Sequence, residues 1–198
     1  NNRILVHHGL NAIRQGRCSL GILALLEQAG RDPKQLQAQD FGFVLGPRIN
    51  AAGRMDNMRI GIECLLTDDW STAQRLAQEL EQLNRTRRHV EGEMRAQADS
   101  IVQALATADS NAKNDADESD ETLIQPKTEK SAIDNQNRSI ILYQDDWHQG
   151  VIGIVAGRLK ESHYLPSIVF APADTERTGD DDAIKGSARS IAGVHLRD

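Results

Sequence analysis

No apolar run in this 198-residue chain approaches the roughly 20 residues that a membrane helix requires, so no membrane partner is expected. Only two cysteines occur, Cys18 and Cys64, and their separation matches no metal-binding spacing. They read as reduced thiols of a cytoplasmic protein. The opening Asn1-Asn2-Arg3-Ile4 has neither a methionine nor the pattern of a signal peptide, and the expectation is a piece of a longer chain. Catalytic signatures are missing too. The sequence holds no Asp-His-His, no His-Glu-x-x-His, no phosphate-binding P-loop and no serine nucleophile elbow. The adjacent pair His7-His8, read as strand, points to opposite faces and cannot easily chelate one ion. No catalytic metal is expected to bind to these residues.

What is present is unevenly distributed. Hydrophobic residues make up 39% of the chain, a somewhat low share, and the length suits one domain or two small ones. The formal charge is −6, yet residues 108–137 alone hold eight acids and only three bases. Most of the net charge therefore sits in one segment, and an anionic ligand is not excluded for the rest. That segment is rich in Asp, Ser, Asn, Lys and Thr and has almost no apolar residues, so it reads as a disordered insertion. Asp180-Asp181-Asp182 reads as a solvated loop tip rather than a cation site.

The organisation expected is α/β in two lobes joined by a long helix. Residues 1–68 read as the end of one α/β unit: a short strand at Ile4-Leu5-Val6, helical spacing over 9–13 and 20–29 with Gly30 as a stop, and another helix over 60–66. Residues 69–107 carry Leu76, Leu80, Leu83, Val90, Met94, Ile101 and Leu105 at helical intervals, with Ser71 and Gln74 spaced as a capping box. Residues 138–198 restart the pattern. A strand over 139–143, a helix over 150–159 and a strand over 166–171 suggest a βαβ crossover.

Three stretches carry candidate chemistry. Gly46-Pro47-Arg48-Ile49-Asn50-Ala51-Ala52-Gly53-Arg54 places two arginines on what reads as a small-residue loop, with no acid between Gly46 and Met55. Gly186-Ser187-Ala188-Arg189-Ser190 repeats the combination of small residues, hydroxyl and guanidinium. Small residues let backbone amides approach an anion, and arginine offers a planar fork that matches phosphate. Trp147-His148-Gln149-Gly150 joins a strand to a helix, where free amides face the sheet edge. His148 there could donate to a phosphate or act on a leaving group. For each stretch the plain alternative is a turn with a surface arginine, or a histidine that caps a helix. Arg85, Arg87, Arg88 and Arg95 put positive charge on the long helix, either as a solvated face or along a strand of nucleic acid.

Taken together and in order, Gly46–Met55, Leu83-Asn84 with Arg87, Trp147–Ala156 and Gly186–Ser190 resemble the RecJ family. Its members are bacterial single-strand-specific 5′-to-3′ DNA exonucleases of the DHH phosphoesterase superfamily. The resemblance implies that residues 1–68 end a DHH-type domain, 69–107 form the connecting helix, and 138–198 begin a DHH-associated, nucleic-acid-binding domain. It implies Mn2+ or Mg2+ in the full-length enzyme, held by ligands upstream of Asn1, and so an inactive fragment that binds none. It implies that Arg48, Ser187 and Arg189, with Asn50, Arg54 and Gly186, grip DNA phosphates including the 5′ end, supported by His148, Gly150 and Arg87. The arginines of the first stretch then lack acidic partners because the substrate supplies the counterions, and Arg48 faces the cleft that Ser187 and Arg189 border. The partner expected is single-stranded DNA with a 5′ end, bound by a monomer acting in repair and recombination. Two rivals are a small-oligonucleotide or cyclic-dinucleotide phosphodiesterase of the same superfamily, and a non-enzymatic coiled-coil adaptor. Arg87 in the apolar seam of the long helix argues against the adaptor.

Overall fold

A computed structural model of the chain describes residues 2–114, 139–174 and 182–194. They divide into two compact units, Asn1–His89 and Val90–Asp198. Among the described residues, no helix is long and apolar enough to cross a membrane.

The first unit is helical throughout its described residues: α1 Asn2–Arg14, α2 Leu20–Gln28, a 3-10 turn Pro33–Gln35, α3 Ala38–Asp40, α4 Gly46–Met55, α5 Arg59–Leu66 and the start of α6 Trp70–Asn114. The strand expected at Ile4-Leu5-Val6 is therefore part of α1. Three apolar residues in a row fit either state, and the wider spacing decides. Val6, Leu10 and Ile13 share a helical face and pack on the core, while Ile4 and Leu5 stay exposed. Gly30, at φ 63°, follows α2 in the left-handed region that ends many helices. The core gathers Leu25, Leu26, Leu36, Cys64, Leu76 and Leu80. α2 and α5 meet backbone to backbone. A Cβ added to Gly21 would lie 1.8 Å from the Cys64 carbonyl oxygen.

The stretch Gly46–Met55 is a helix, not the small-residue loop expected. Phe41–Leu45 forms one π-helical turn, closed by the Gly46 amide donating to the Phe41 carbonyl, and α4 follows without a break. A Cβ on Gly46 would sit 2.8 Å from that carbonyl oxygen, so the wider turn requires glycine. Pro47 has no N–H to contribute, and an irregular turn just before it lets the helix continue past its ring. Within the apolar run Phe41–Leu45, Val44 and Leu45 are buried but Phe43 is exposed.

α6 is capped by Asp69 rather than by Ser71. Its carboxylate accepts from the Thr72 amide at 2.7 Å and from the Ser71 hydroxyl at 2.6 Å. The helix continues past the expected end at residue 107 to Asn114, into the stretch expected as insertion. The remainder of that insertion, 115–137, lies outside the described residues, as do Asp180 and Asp181. The apolar stripe of α6 is used within the chain. Ala73, Leu76, Ala77 and Leu80 are buried in the first unit, and Met94, Ala98 and Val102 are buried in the second. A coiled-coil adaptor would need that stripe free.

In the second unit, β1 Ile140–Tyr143 pairs parallel with β2 Ser167–Pro172, and α7 Ile152–His163 lies between them in sequence. This is the expected βαβ unit, with strand boundaries shifted by one residue at most. β3 Ile184–Arg189 then adds antiparallel to β2, giving the order β1-β2-β3. Val155, Ala156 and Leu159 of α7 are buried with Ile140, Leu142, Val169 and Ala171 of the sheet. Trp147 is buried, and its indole N–H donates to Gln97 Oε1 of α6 at 2.6 Å. The chain is thus α/β in two units, as its pattern indicated.

Candidate functional site

The expected motif Gly186–Ser190 lies almost entirely in β3. Side chains alternate along a strand, so Ser187 and Arg189 share one face while Gly186 takes the other. The register sets Ser187 opposite buried Val169 and Arg189 opposite buried Ser167, which is the face that α7 covers. Gly153, in the first turn of α7, sits directly over them. A Cβ on Gly153 would lie 3.0 Å from Ser187 Oγ and 3.1 Å from Arg189 Nη2. Arg189 Nη1 donates to the Ala188 carbonyl at 2.8 Å and to Ser187 Oγ at 3.3 Å, which leaves Nε and Nη2 unused among the described residues. The amides of Ile152 and Gly153 have no carbonyl partner outside the helix and, as first-turn amides, none within it. A hydroxyl, an exposed guanidinium and the positive end of a helix therefore meet at one cradle, kept open by a missing side chain. Such an arrangement favours an anion.

Gly186 has a different reason to be glycine. A Cβ there would fall 2.5 Å from Phe170 Cε1, across the register from β2. The Phe170 ring occupies that space, so Gly186 is accounted for by packing on the opposite face of the sheet.

His148 precedes α7 and is half-buried. Its Nδ1 accepts the Gly150 amide at 3.0 Å. That bond fixes the proton of a neutral ring on Nε2, making it a donor. Burial holds the imidazole below its usual pKa, which agrees with an unprotonated Nδ1. The His148 carbonyl accepts from Val151 at 3.1 Å, so the residue both shapes and caps the entry to the helix.

In the first unit, Arg48 is not without an acidic partner. Its Nε lies 2.7 Å from Glu81 Oε2 on α6, with the two side chains only 11% and 14% exposed. Neither atom completes a directed hydrogen bond, so the contact is an ion pair whose N–H points off the oxygen. Nη1 donates to the Val44 carbonyl, one turn back, at 2.7 Å. The acid lies 33 positions away in sequence, beyond the reach of a reading of Gly46–Met55 alone. Asn50, Gly53 and Arg54 are exposed on α4. Arg87 Nη2 donates to Oδ1 of Asn84, a wholly buried residue of α6, at 3.3 Å.

Among the described residues, no group of three or more His, Cys, Asp or Glu side chains could hold a metal ion. His7 and His8 lie on a helix, not a strand, and their rings meet edge to face at 5.7 Å. His7 Nε2 is paired with Asn11 Nδ2 at 3.0 Å.

Residues 136–198 match the DHHA1 domain. The single-stranded-DNA-specific exonuclease RecJ of Salmonella typhimurium is 44% identical over all 198 residues of this chain. Over its whole length the chain is similar to RecJ exonucleases. It spans 29% of the length of that RecJ relative. A crystal structure of exonuclease RecJ bound to manganese superposes with a TM-score of 0.67 at 28% identity, over 99% of this chain and 39% of that one. RecJ from Thermus thermophilus in complex with Mg2+ gives 0.65 at 29% identity, over 99% of this chain and 24% of that one. Divalent metals thus accompany the RecJ relatives, while the described residues here offer no cluster for one.

Three features of the site are not legible in the sequence. β3 was not foreseen, because Lys-Gly-Ser-Ala-Arg has little of the β-branched or aromatic character of a strand. Gly153 falls inside the stretch Trp147–Ala156, and a glycine in the first turn of a helix is the available signal. Nothing in the sequence links Glu81 to Arg48, 33 positions away.

Proposed function

We propose that this chain is the part of a RecJ-type exonuclease that grips single-stranded DNA by a 5′-terminal phosphate. The observation that carries the reading is the cradle over Gly153, bordered by Ser187 Oγ and Arg189 Nη2. A terminal phosphate monoester carries about −1.5 to −2 charges near neutral pH, more than the single charge of an internal diester. A helix N-terminus and a guanidinium acting together reward that extra charge. First-turn amides, the serine hydroxyl and the Arg189 fork supply donors around a tetrahedral group. His148, donating through Nε2 at the turn before α7, adds a neutral donor, and the Gly150 amide fixes its tautomer.

Arg48 contributes a second cation to the strand, with Asn50 and Arg54 on the exposed surface of the same helix and Arg87 on α6. Hydrolysis needs a metal centre from outside the described residues. The chain alone accordingly hydrolyses nothing, and manganese-dependent exonuclease activity from the isolated chain would refute this. The whole enzyme works as a cytoplasmic monomer, in the 5′-to-3′ direction, in DNA repair and recombination.

The test is Arg189→Ala in the whole enzyme, with binding compared on oligonucleotides that differ only in a 5′-phosphate or 5′-hydroxyl. The phosphorylated strand should lose the larger share of its affinity. Equal losses on both strands would remove Arg189 from the end-binding role.

A further inference from the structure

Glu81 is a largely buried carboxylate for which strand binding has no direct use, since an acid beside a phosphate site repels the ligand. Its two oxygens are divided between two arginines. Oε2 lies 2.7 Å from Arg48 Nε, and Oε1 lies 3.0 Å from Arg85 Nε. The cluster of one acid and two guanidiniums keeps a net positive charge, so it still attracts an anion. Arg48 is held on two sides, by Glu81 at Nε and by the Val44 carbonyl at Nη1. Its Nη2 has neither a hydrogen bond nor a place among the buried unsatisfied atoms. A guanidinium is planar and rigid, so fixing two of its nitrogens fixes where the third points.

We infer that Glu81 is a positioning residue, which holds the Arg48 guanidinium so that Nη2 is presented to a phosphate of the bound strand. This rests on the reading of Arg48 as a strand contact. Without the carboxylate, Arg48 regains the rotamer freedom of a long side chain and must be ordered again on binding. The carboxylate thus opposes the ligand by its charge and favours it by preorganisation, and on this inference the second effect is the larger. Two tethers on a side chain only 11% exposed leave few alternative conformations to the bound arginine.

The test is equilibrium binding of a 5′-phosphorylated single-stranded oligonucleotide to the whole enzyme without added metal. It compares Glu81→Ala, Glu81→Gln, Arg48→Ala and the double variant Glu81→Ala/Arg48→Ala. Glutamine keeps the length and an acceptor oxygen, so Glu81→Gln should bind within about threefold of the parent, while Glu81→Ala should bind about tenfold more weakly. In the Arg48→Ala background, Glu81→Ala should add nothing, because its effect passes through Arg48. Should Glu81→Ala fail to fold by thermal unfolding, Glu81→Asp replaces it, with weakening expected from a tether one methylene shorter. If alanine and glutamine both tighten binding, Glu81 is only a competing anion and the inference fails. It fails equally if neither changes binding, or if Glu81→Ala costs as much with Arg48 absent as with it present. If Arg48→Ala itself leaves binding unchanged, the strand-contact reading of Arg48 is what fails, and the inference falls with it.

Discussion

Gly153→Ala separates the fold of the second unit from the cradle it carries. The added methyl would lie 3.0 Å from Ser187 Oγ and 3.1 Å from Arg189 Nη2. Both contacts are the tips of side chains and neither is backbone, so the strand and helix need not move. Alanine also favours helix over glycine by up to about 1 kcal/mol, which offsets the crowding. The expected change in stability is therefore within about 1 kcal/mol of zero. Binding should respond far more. A hydrogen bond to a charged group contributes about 1.5–3 kcal/mol, and the methyl displaces one such donor or both. At about 1.4 kcal/mol per factor of ten, affinity for a 5′-phosphorylated strand should fall roughly 10- to 100-fold. A 5′-hydroxyl strand, which leaves the cradle empty, should lose much less. Fluorescence anisotropy with the two oligonucleotides, together with thermal unfolding, measures all three quantities. A folded Gly153→Ala enzyme with its 5′-phosphate preference intact would refute the reasoning.

Other substitutions and titrations probe the supports of the site. Gly21→Ala drives a Cβ to 1.8 Å from the Cys64 carbonyl oxygen and 2.6 Å from its carbon, so two helices must separate. The expected cost is about 3 kcal/mol or more, read as a lowered urea midpoint. Asp69 caps α6, and hydrogen bonds from the Ser71 hydroxyl and then Thr72 hold its pKa down to about 2. Its folded pKa is depressed, so its stabilisation is complete above the ordinary carboxyl value near ~3.9 and is lost as pH falls through about 2. Asp69→Asn should flatten the stability profile in that window, and an unchanged profile would count against the cap. His148 should titrate below its ordinary value of about 6.5, because burial opposes its charge. Nitrogen-15 spectra of the ring should show the Nε2–H tautomer above that midpoint, and an Nδ1–H tautomer would contradict the bond to Gly150.

The helices were legible where spacing was long and regular. Leu20–Gln28 with its terminal glycine, and most of α6, follow directly from apolar periodicity. The βαβ unit was legible as two short apolar runs around a helix. Reading failed where local signals conflict with their surroundings. Gly46-Pro47 is a strong helix-breaking pair, yet a π turn absorbs both residues and the helix runs on. Ile4-Leu5-Val6 looks like a strand until Leu10 and Ile13 are counted with Val6. In the site, the residue types were visible but their pairing was not. Gly186 looked like an approach for an anion and instead makes room for Phe170. Gly153 was hidden inside a longer motif and forms the floor of the cradle. Arg48 looked uncompensated because its acid lies on another helix, and contacts of that range depend on packing rather than on sequence spacing.

The most direct measurement is a crystal structure of the whole enzyme with a 5′-phosphorylated single-stranded oligonucleotide. The terminal phosphate should lie at the start of α7, accepting hydrogen bonds from the first-turn amides, Ser187 Oγ and the Arg189 guanidinium. A 5′-phosphate bound elsewhere, with Ser187 and Arg189 touching no part of the strand, would contradict the account.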